Sequence, residues 1–265
     1  VGGLVLTGSA AANYTLTQPI LTAGITVSGI TVSGITADAK VYDGTTAATI
    51  SSNNVVLNGL LPGDASNVSL VTNGYTATFD TAAAGGGKPV TVGGVTLTGS
   101  AAANYTLTQP TASASITPAT LTITAQPKSK TYGATVTFDG TTPSTDFSVA
   151  GLLSIDTVTS VSLVSTGTAG TATVAGSPYP IAPSAAVGTG LSNYTIGYVA
   201  GTLTVNPATL TITAQPRSKT YGATVTFDQT TPSTDFSVTG LLNSDTVTSV
   251  TLSSAGRFFS SAPLS

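Results

Sequence analysis

Apolar and hydroxyl side chains alternate along this chain with a period of two. Leu121 and Ile123 alternate with Thr120, Thr122 and Thr124, and the same pattern returns at Val136 and Phe138 and again at Phe147 and Val149. A period of two predicts strands with one face turned to a core and a Thr/Ser face turned to water. Val158, Val161, Leu163, Val174, Tyr194, Ile196, Leu203 and Val205 are expected to complete that core. The segment ITVSGITVSGITADAK, from Ile25 to Lys40, reads as strand interrupted by hinges at Gly29 and Gly34. A further strand is expected from Gly74 (GYTATFD), and the Gly85 to Gly87 run reads as a loop tip.

The pattern repeats on a larger scale. The text from Pro118 to Leu163 returns from Pro207 to Leu252, 89 residues later, with six substitutions: Lys128, Gly140, Ala150, Ser154, Ile155 and Ser162 become Arg217, Gln229, Thr239, Asn243, Ser244 and Thr251. The opening text from Val1 to Pro19 likewise returns from Val92 to Pro110, where it closes a unit. Self-similarity of this kind marks an array of one structural unit. The expected organisation is 1-24 as the closing strands of a first, incomplete module, 25-118 and 119-206 as complete modules, and 207-265 as a second incomplete one, in which Phe258 and Phe259 have no place defined by the repeat. The two module types share G-L-L-x-x-D (Gly59, Gly151, Gly240), an early Tyr (Tyr42, Tyr132, Tyr221) and, where complete, a closing N-Y-T (Asn104, Asn193). The expected fold class is all-β: tandem small Ig-like β-sandwiches in an elongated array, with Pro118 and Pro207 stiffening the joints. Asp64, Asp156 and Asp245 are expected to cap one helical turn each, and a helix lying across the sheet would turn the sandwich into a β-grasp arrangement.

Composition sharpens this picture by what it lacks. The 265 residues contain no Cys, Met, His or Trp, and every acidic residue is Asp. The absence of Glu and Met removes two strong helix formers. Charged residues make up 6 % with a net charge of −3, which offers no basic surface to nucleic acid. A mean hydropathy of +0.35 comes from scattered small apolar residues, and no apolar run reaches the ~18 residues of a membrane span, so no membrane insertion is expected. No basic segment followed by an apolar one opens the chain as an export signal would.

The texts KVYDGTT, at Lys40 to Thr46, and ANYTL, at Ala103 to Leu107, resemble the YDG domain, whereas LTITAQPKSKTYG, GLLxxD and SNYTI resemble the MBG domain of the YGX type. The resemblance spans nearly the whole chain apart from its last dozen residues. It implies a secreted or surface-anchored bacterial adhesin of filamentous-haemagglutinin-like character, located outside the cell or on its surface, with these modules as stalk or spacer. It also implies neighbouring modules of the same chain as partners, and a host or cell-surface glycan or protein as a further one. The alternative role is an adhesive module whose ligand contacts lie on loops. The text after Tyr132-Gly133 is Ala-Thr-Val, where the family more often has an acidic residue.

Candidate chemistry is sparse. Without His, Cys or Glu the usual acids, bases and nucleophiles are missing, and Ser129 and Lys130, adjacent on a strand, point to opposite faces. No catalytic residue, cofactor site or metal site is therefore expected. Asp139 and Asp146 flank a Thr/Ser loop that could offer oxygens to calcium, but they read more simply as turn formers. Tyr42, Tyr132 and Tyr221 suit either sugar stacking or a core corner with the hydroxyl bonded to backbone. Asn13, Asn67, Asn104 and Asn193 stand in N-x-[ST] sequons, three of them in the recurring N-Y-T text. Finally, Lys40 with Asn104 and Lys130 with Asn193 are the ingredients of an isopeptide cross-link between first and last strands, with Asp43 or Asp64, and Asp146 or Asp156, as carboxylate. Against that stands the usual fate of a Lys beside a turn, which is solvation.

Overall fold

A computed structural model describes residues 3–255, and its chain divides into two compact units, Val1–Thr117 and Pro118–Ser265. The sequence features at Phe258 and Phe259 lie outside the described residues. Each unit is built from strands because alternating Thr, Val and Ile favour the pleat, while Gly and Pro set the breaks.

In the first unit the strands are β1 (Ser28–Ser33), β2 (Thr36–Ala37), β3 (Lys40–Val41), β4 (Ile50–Ser51), β5 (Val56–Asn58), β6 (Ser69–Val71), β7 (Thr76–Phe79), β8 (Gly85–Gly93), β9 (Thr96–Thr98), β10 (Tyr105–Leu107) and β11 (Thr111–Thr117). One sheet has the order β10-β1-β5 and the other β3-β11-β8-β7, with two-stranded pairs β2-β4 and β6-β9 at the margins. Ile30, Val68 and Tyr105 are buried in one cluster; Phe79, Val90, Val92 and Ile116 are buried as well.

The second unit carries β12 (Ala119–Ala125), β13 (Lys128–Thr131), β14 (Phe147–Ala150), β15 (Thr157–Val164), β16 (Tyr179–Thr189), β17 (Tyr194–Val199), β18 (Gly201–Asn206), β19 (Thr211–Ala214) and β20 (Phe236–Thr239). Its main sheets are β14-β12-β17 and β13-β18-β16-β15, and β19-β20 form a separate two-stranded pair. The strand order of these two main sheets is that of the first unit. In both, the opening strand is interrupted, so that its first and last pieces (β1 and β3, β12 and β13) enter different sheets, and the closing strand is broken opposite it. Leu121 and Ile123 are fully buried, and Ile181, Leu203 and Ala125 form a core cluster on which Val136 and Phe138 pack half-buried.

The opening and closing strands run parallel throughout. β12 pairs with β17 over six residues and β13 with β18 over four; β1 pairs with β10 over three and β3 with β11 over two. The chain therefore enters each module at one end and leaves it at the other.

Several expectations need correction. The longest helices among the described residues are 3-10 turns of three residues, Ala11–Asn13, Pro62–Asp64, Ala102–Asn104 and Leu191–Asn193, so nothing lies across a sheet and the sandwich stands against β-grasp. Only one of the three G-L-L-x-x-D loops forms a helical turn, because Pro62 fixes its first φ there. None of these turns carries a side-chain cap; the others precede N-Y-T tyrosines. Gly85 to Gly87 is no loop tip: it opens β8 and meets β11 across a bulge between Ala114 and Ile116. Val136 to Phe138 forms no strand, since the Val136 N–H bonds to Thr168 O in a loop. Val174 lies outside the core.

Candidate functional site

The parallel pairing brings two sets of polar side chains to the ends of each module. At the end where the chain enters, the N-Y-T tyrosine is latched to the G-L-L-x-x-D loop. The Tyr194 hydroxyl donates to Asp156 Oδ2 at 2.7 Å and accepts from Leu153 N at 3.1 Å. Tyr105 repeats this with Asp64 Oδ2 at 2.8 Å and Leu61 N at 3.2 Å. Burial first, and the bond to Asp64 second, push the Tyr105 hydroxyl above its ordinary value. Packing around Asp156 is tight: Gly190 has φ +73°, and a Cβ there would lie 1.8 Å from Asp156 Oδ1. The Asp of the shared motif is thus a strand latch, and the hydroxyl of the closing tyrosine also meets backbone.

The early tyrosines diverge. Tyr42 is 6 % exposed, Tyr132 half-buried and Tyr221 85 % exposed, so the three copies share no common platform for a sugar.

At the other end stand the lysines, and neither is simply solvated. Lys130 is buried in β13, with Nζ donating to Ala134 O at 2.9 Å and to Ala169 O. Ser129 beside it is exposed on the opposite face. Lys40 Nζ donates to Asp43 Oδ1 at 2.8 Å, Thr45 O at 2.8 Å and Thr45 Oγ1 at 3.0 Å. This pair holds the Asp43 carboxyl down at about 2.

The expected isopeptide ingredients do not meet. Asn193 precedes Tyr194, which registers with Ala119, whereas Lys130 registers with Val205. The two lie up to about 40 Å apart along the strands. Asn104 and Lys40 are separated in the same sense, next to Ser28 and Ile116. Parallel pairing necessarily sets the closing N-Y-T beside the first residues of a module and the Lys beside its last.

Asp139 and Asp146 do come together, as a turn. Asp146 is buried and pairs through Oδ1 with Lys128 Nζ at 2.6 Å, while Oδ2 accepts Asp139 N at 2.7 Å. Asp139 Oδ1 accepts from Thr141 N and Oγ1 at 2.9 and 2.7 Å, which holds its carboxyl below the usual range. The second copy rebuilds this turn with Arg217, Asp228 and Asp235, so the exchange of Lys128 for Arg217 keeps an ion pair. The Arg217 guanidinium, and then the bond from Asp228 N, lower the Asp235 carboxyl. Among the described residues no three His, Cys, Asp or Glu side chains form a metal-holding group. An open groove of about 650 Å³ lies beside the first latch, lined by Ile25, Val27, Leu61, Asp64, Asn104 and Tyr105.

Two elements escaped the sequence reading. The Lys128 to Asp146 pair spans 18 positions without a spacing signal. Gln109 brackets the backbone of Val95, accepting from its N–H at 3.1 Å and donating to its carbonyl at 2.9 Å, and Gln18 does the same to Leu4. The recurrence of T-L-T-Q-P was the available clue.

Residues 26–113 match the family model of the YDG domain, and residues 121–204 match that of the MBG domain (YGX type). The chain carries a YDG domain followed by an MBG domain. In these terms the YDG and MBG domains use one strand order and one Tyr-Asp latch, and differ at the Lys end, where the YDG sequence has Asp43 and the MBG sequence has Gly133. No curated protein and no solved structure matches the chain.

Proposed function

We propose that these domains form a force-bearing spacer in a secreted or surface-anchored bacterial adhesin and carry out no catalysis. The observation that carries this reading is the parallel pairing of first and last strands in both domains. Tension on the two ends of a module pulls those strands past one another in shear, so the ladder bonds are loaded together instead of being peeled one at a time. The Tyr-Asp latch adds a side-chain tie between the closing strand and the G-L-L-x-x-D loop. The domains are β-rich repeat modules, and neither family is a known enzyme family. Among the described residues, no helix is long and apolar enough to cross a membrane.

A glycan array probed with the full chain separates a spacer from an adhesive module. The spacer reading expects no reproducible ligand. A hit that disappears on Tyr132→Ala or Leu61→Ala, with the circular dichroism spectrum unchanged, would overturn it.

A further inference from the structure

We infer that the Tyr132-Gly133 corner of the MBG domain is a socket for the G-L-L-N loop of the next MBG repeat. Leu242, from the second copy of the repeat, sits directly over Gly133: a Cβ on that glycine would lie 2.4 Å from Leu242 Cδ1. Beside it, Asn243 Nδ2 donates to Gly170 O at 3.0 Å, and the same carbonyl accepts from Gly133 N at 3.1 Å. Gly170 is itself hemmed in, since a Cβ there would lie 2.8 Å from Gly133 O. A small cavity of about 220 Å³ runs along this seam, between Tyr132 and Val174 on one side and Pro207, Leu210, Leu241 and Leu242 on the other.

Three otherwise unexplained features find a purpose in this joint. The buried Lys130 binds Ala169 O, which fixes the segment that presents the Gly170 carbonyl. The residue after the tyrosine is Gly in the MBG domain, whereas the YDG domain has Asp43 there, pinned by Lys40. Ser154 becomes Asn243 between the copies: Asn243 has φ +51°, a conformation that Asn adopts more readily than most residues, and its amide makes the bond across the joint. Repeat-to-repeat docking accounts for that substitution. The equivalent corner in the second copy supplies a built-in control, because Tyr221 is exposed and, among the described residues, no atom lies within 4 Å of a Cβ placed on Gly222.

Hydrogen exchange on the full chain tests the socket through the amides of β19 and β20. Gly133→Asp should speed their exchange, whereas Gly222→Asp should not; both glycines have positive φ (+92° and +87°), so backbone strain is common to the two variants. Asn243→Ala should speed exchange about fivefold and Leu242→Ala more than about tenfold, with β12 and β18 unchanged. Equal behaviour of the two Asp variants would overturn the proposal if β12 and β18 stay protected. Should Gly133→Asp also unprotect β12 and β18, the loop variants decide: no acceleration in either of them rejects the socket. None of these outcomes depends on whether the array bears force.

Discussion

Replacing Tyr194 by Phe removes one oxygen and little else. That oxygen donates to Asp156 Oδ2 at 2.7 Å and accepts from Leu153 N at 3.1 Å, and both Tyr194 and Asp156 are buried. A hydrogen bond to a carboxylate contributes about 1.5–3 kcal/mol and a neutral one about 0.5–1.5. The two share an atom and are not additive, so the expected loss is about 2–3 kcal/mol. Against a typical domain stability of about 5–10 kcal/mol this is a large fraction. For a domain of this size it corresponds to a fall in Tm of roughly 10–15 °C. Urea titration of the full chain, with hydrogen exchange assigning each transition to its domain, measures it. The MBG transition should move to lower urea with unchanged m, and the YDG transition should stay where it is. Asp156→Asn, which keeps an acceptor for the hydroxyl, should lose less. A shift below about 0.5 kcal/mol for Tyr194→Phe would show that water replaces the latch without cost and would refute the reasoning.

Gly190→Ala should destabilise the MBG domain by about 2–4 kcal/mol, through both its φ of +73° and the 1.8 Å approach to Asp156 Oδ1, as read from the same urea midpoint. Asp146→Ala breaks the ion pair with Lys128 and strands the Asp139 N–H; partial exposure of the Lys limits the loss to about 2–3 kcal/mol, measurable by thermal melting. Stability should be flat between about pH 5 and 8, since the chain has no His or Cys. Below that range the Asp43 carboxyl, lowered from 3.8 to about 2 by Lys40, contributes stability that is present above pH 4 and lost as the pH falls through about 2. The pair sits at the surface and contributes at most about 1 kcal/mol. Melts of Asp43→Asn should therefore show a shallower acid decline than the parent, and identical slopes would contradict the assignment.

The repeat made the fold legible. Alternation located β12 and β14, the expected core residues Val158, Val161, Leu203 and Val205 are buried on β15 and β18, and the shared G-L-L-x-x-D and N-Y-T texts mark the two loops that the latch joins. What alternation could not supply was its context. Leu121 and Ile123 are 0 % exposed, whereas Leu210 and Ile212, in identical text, are 43 % and 42 % exposed, because β17 and the second sheet cover only the first copy among the described residues. Val136 and Phe138 carry strand text but half-bury themselves from a loop, where Lys128 Nζ lies 5.7 Å from the Phe138 ring centre. Lys130 is the clearest case. A Lys beside a turn is expected to be solvated, yet the Ala169 carbonyl, on a loop 39 positions away, completes its site. Such a partner leaves no trace in spacing.

The central claim, that the parallel pairing of first and last strands makes each module resist tension in shear, is tested most directly by the direction of pull. The chain contains no Cys, so a pair of introduced cysteines defines the points of attachment. Single-molecule force spectroscopy through residues 119 and 206 loads β12 against β17 and β13 against β18 in shear; attachment at 119 and 192 peels β12 from β17 at their common end. The account predicts a rupture force several times higher in the first geometry, and a higher force for the MBG domain than for the YDG domain, whose parallel ladders are shorter. Equal rupture forces in the two geometries would contradict it.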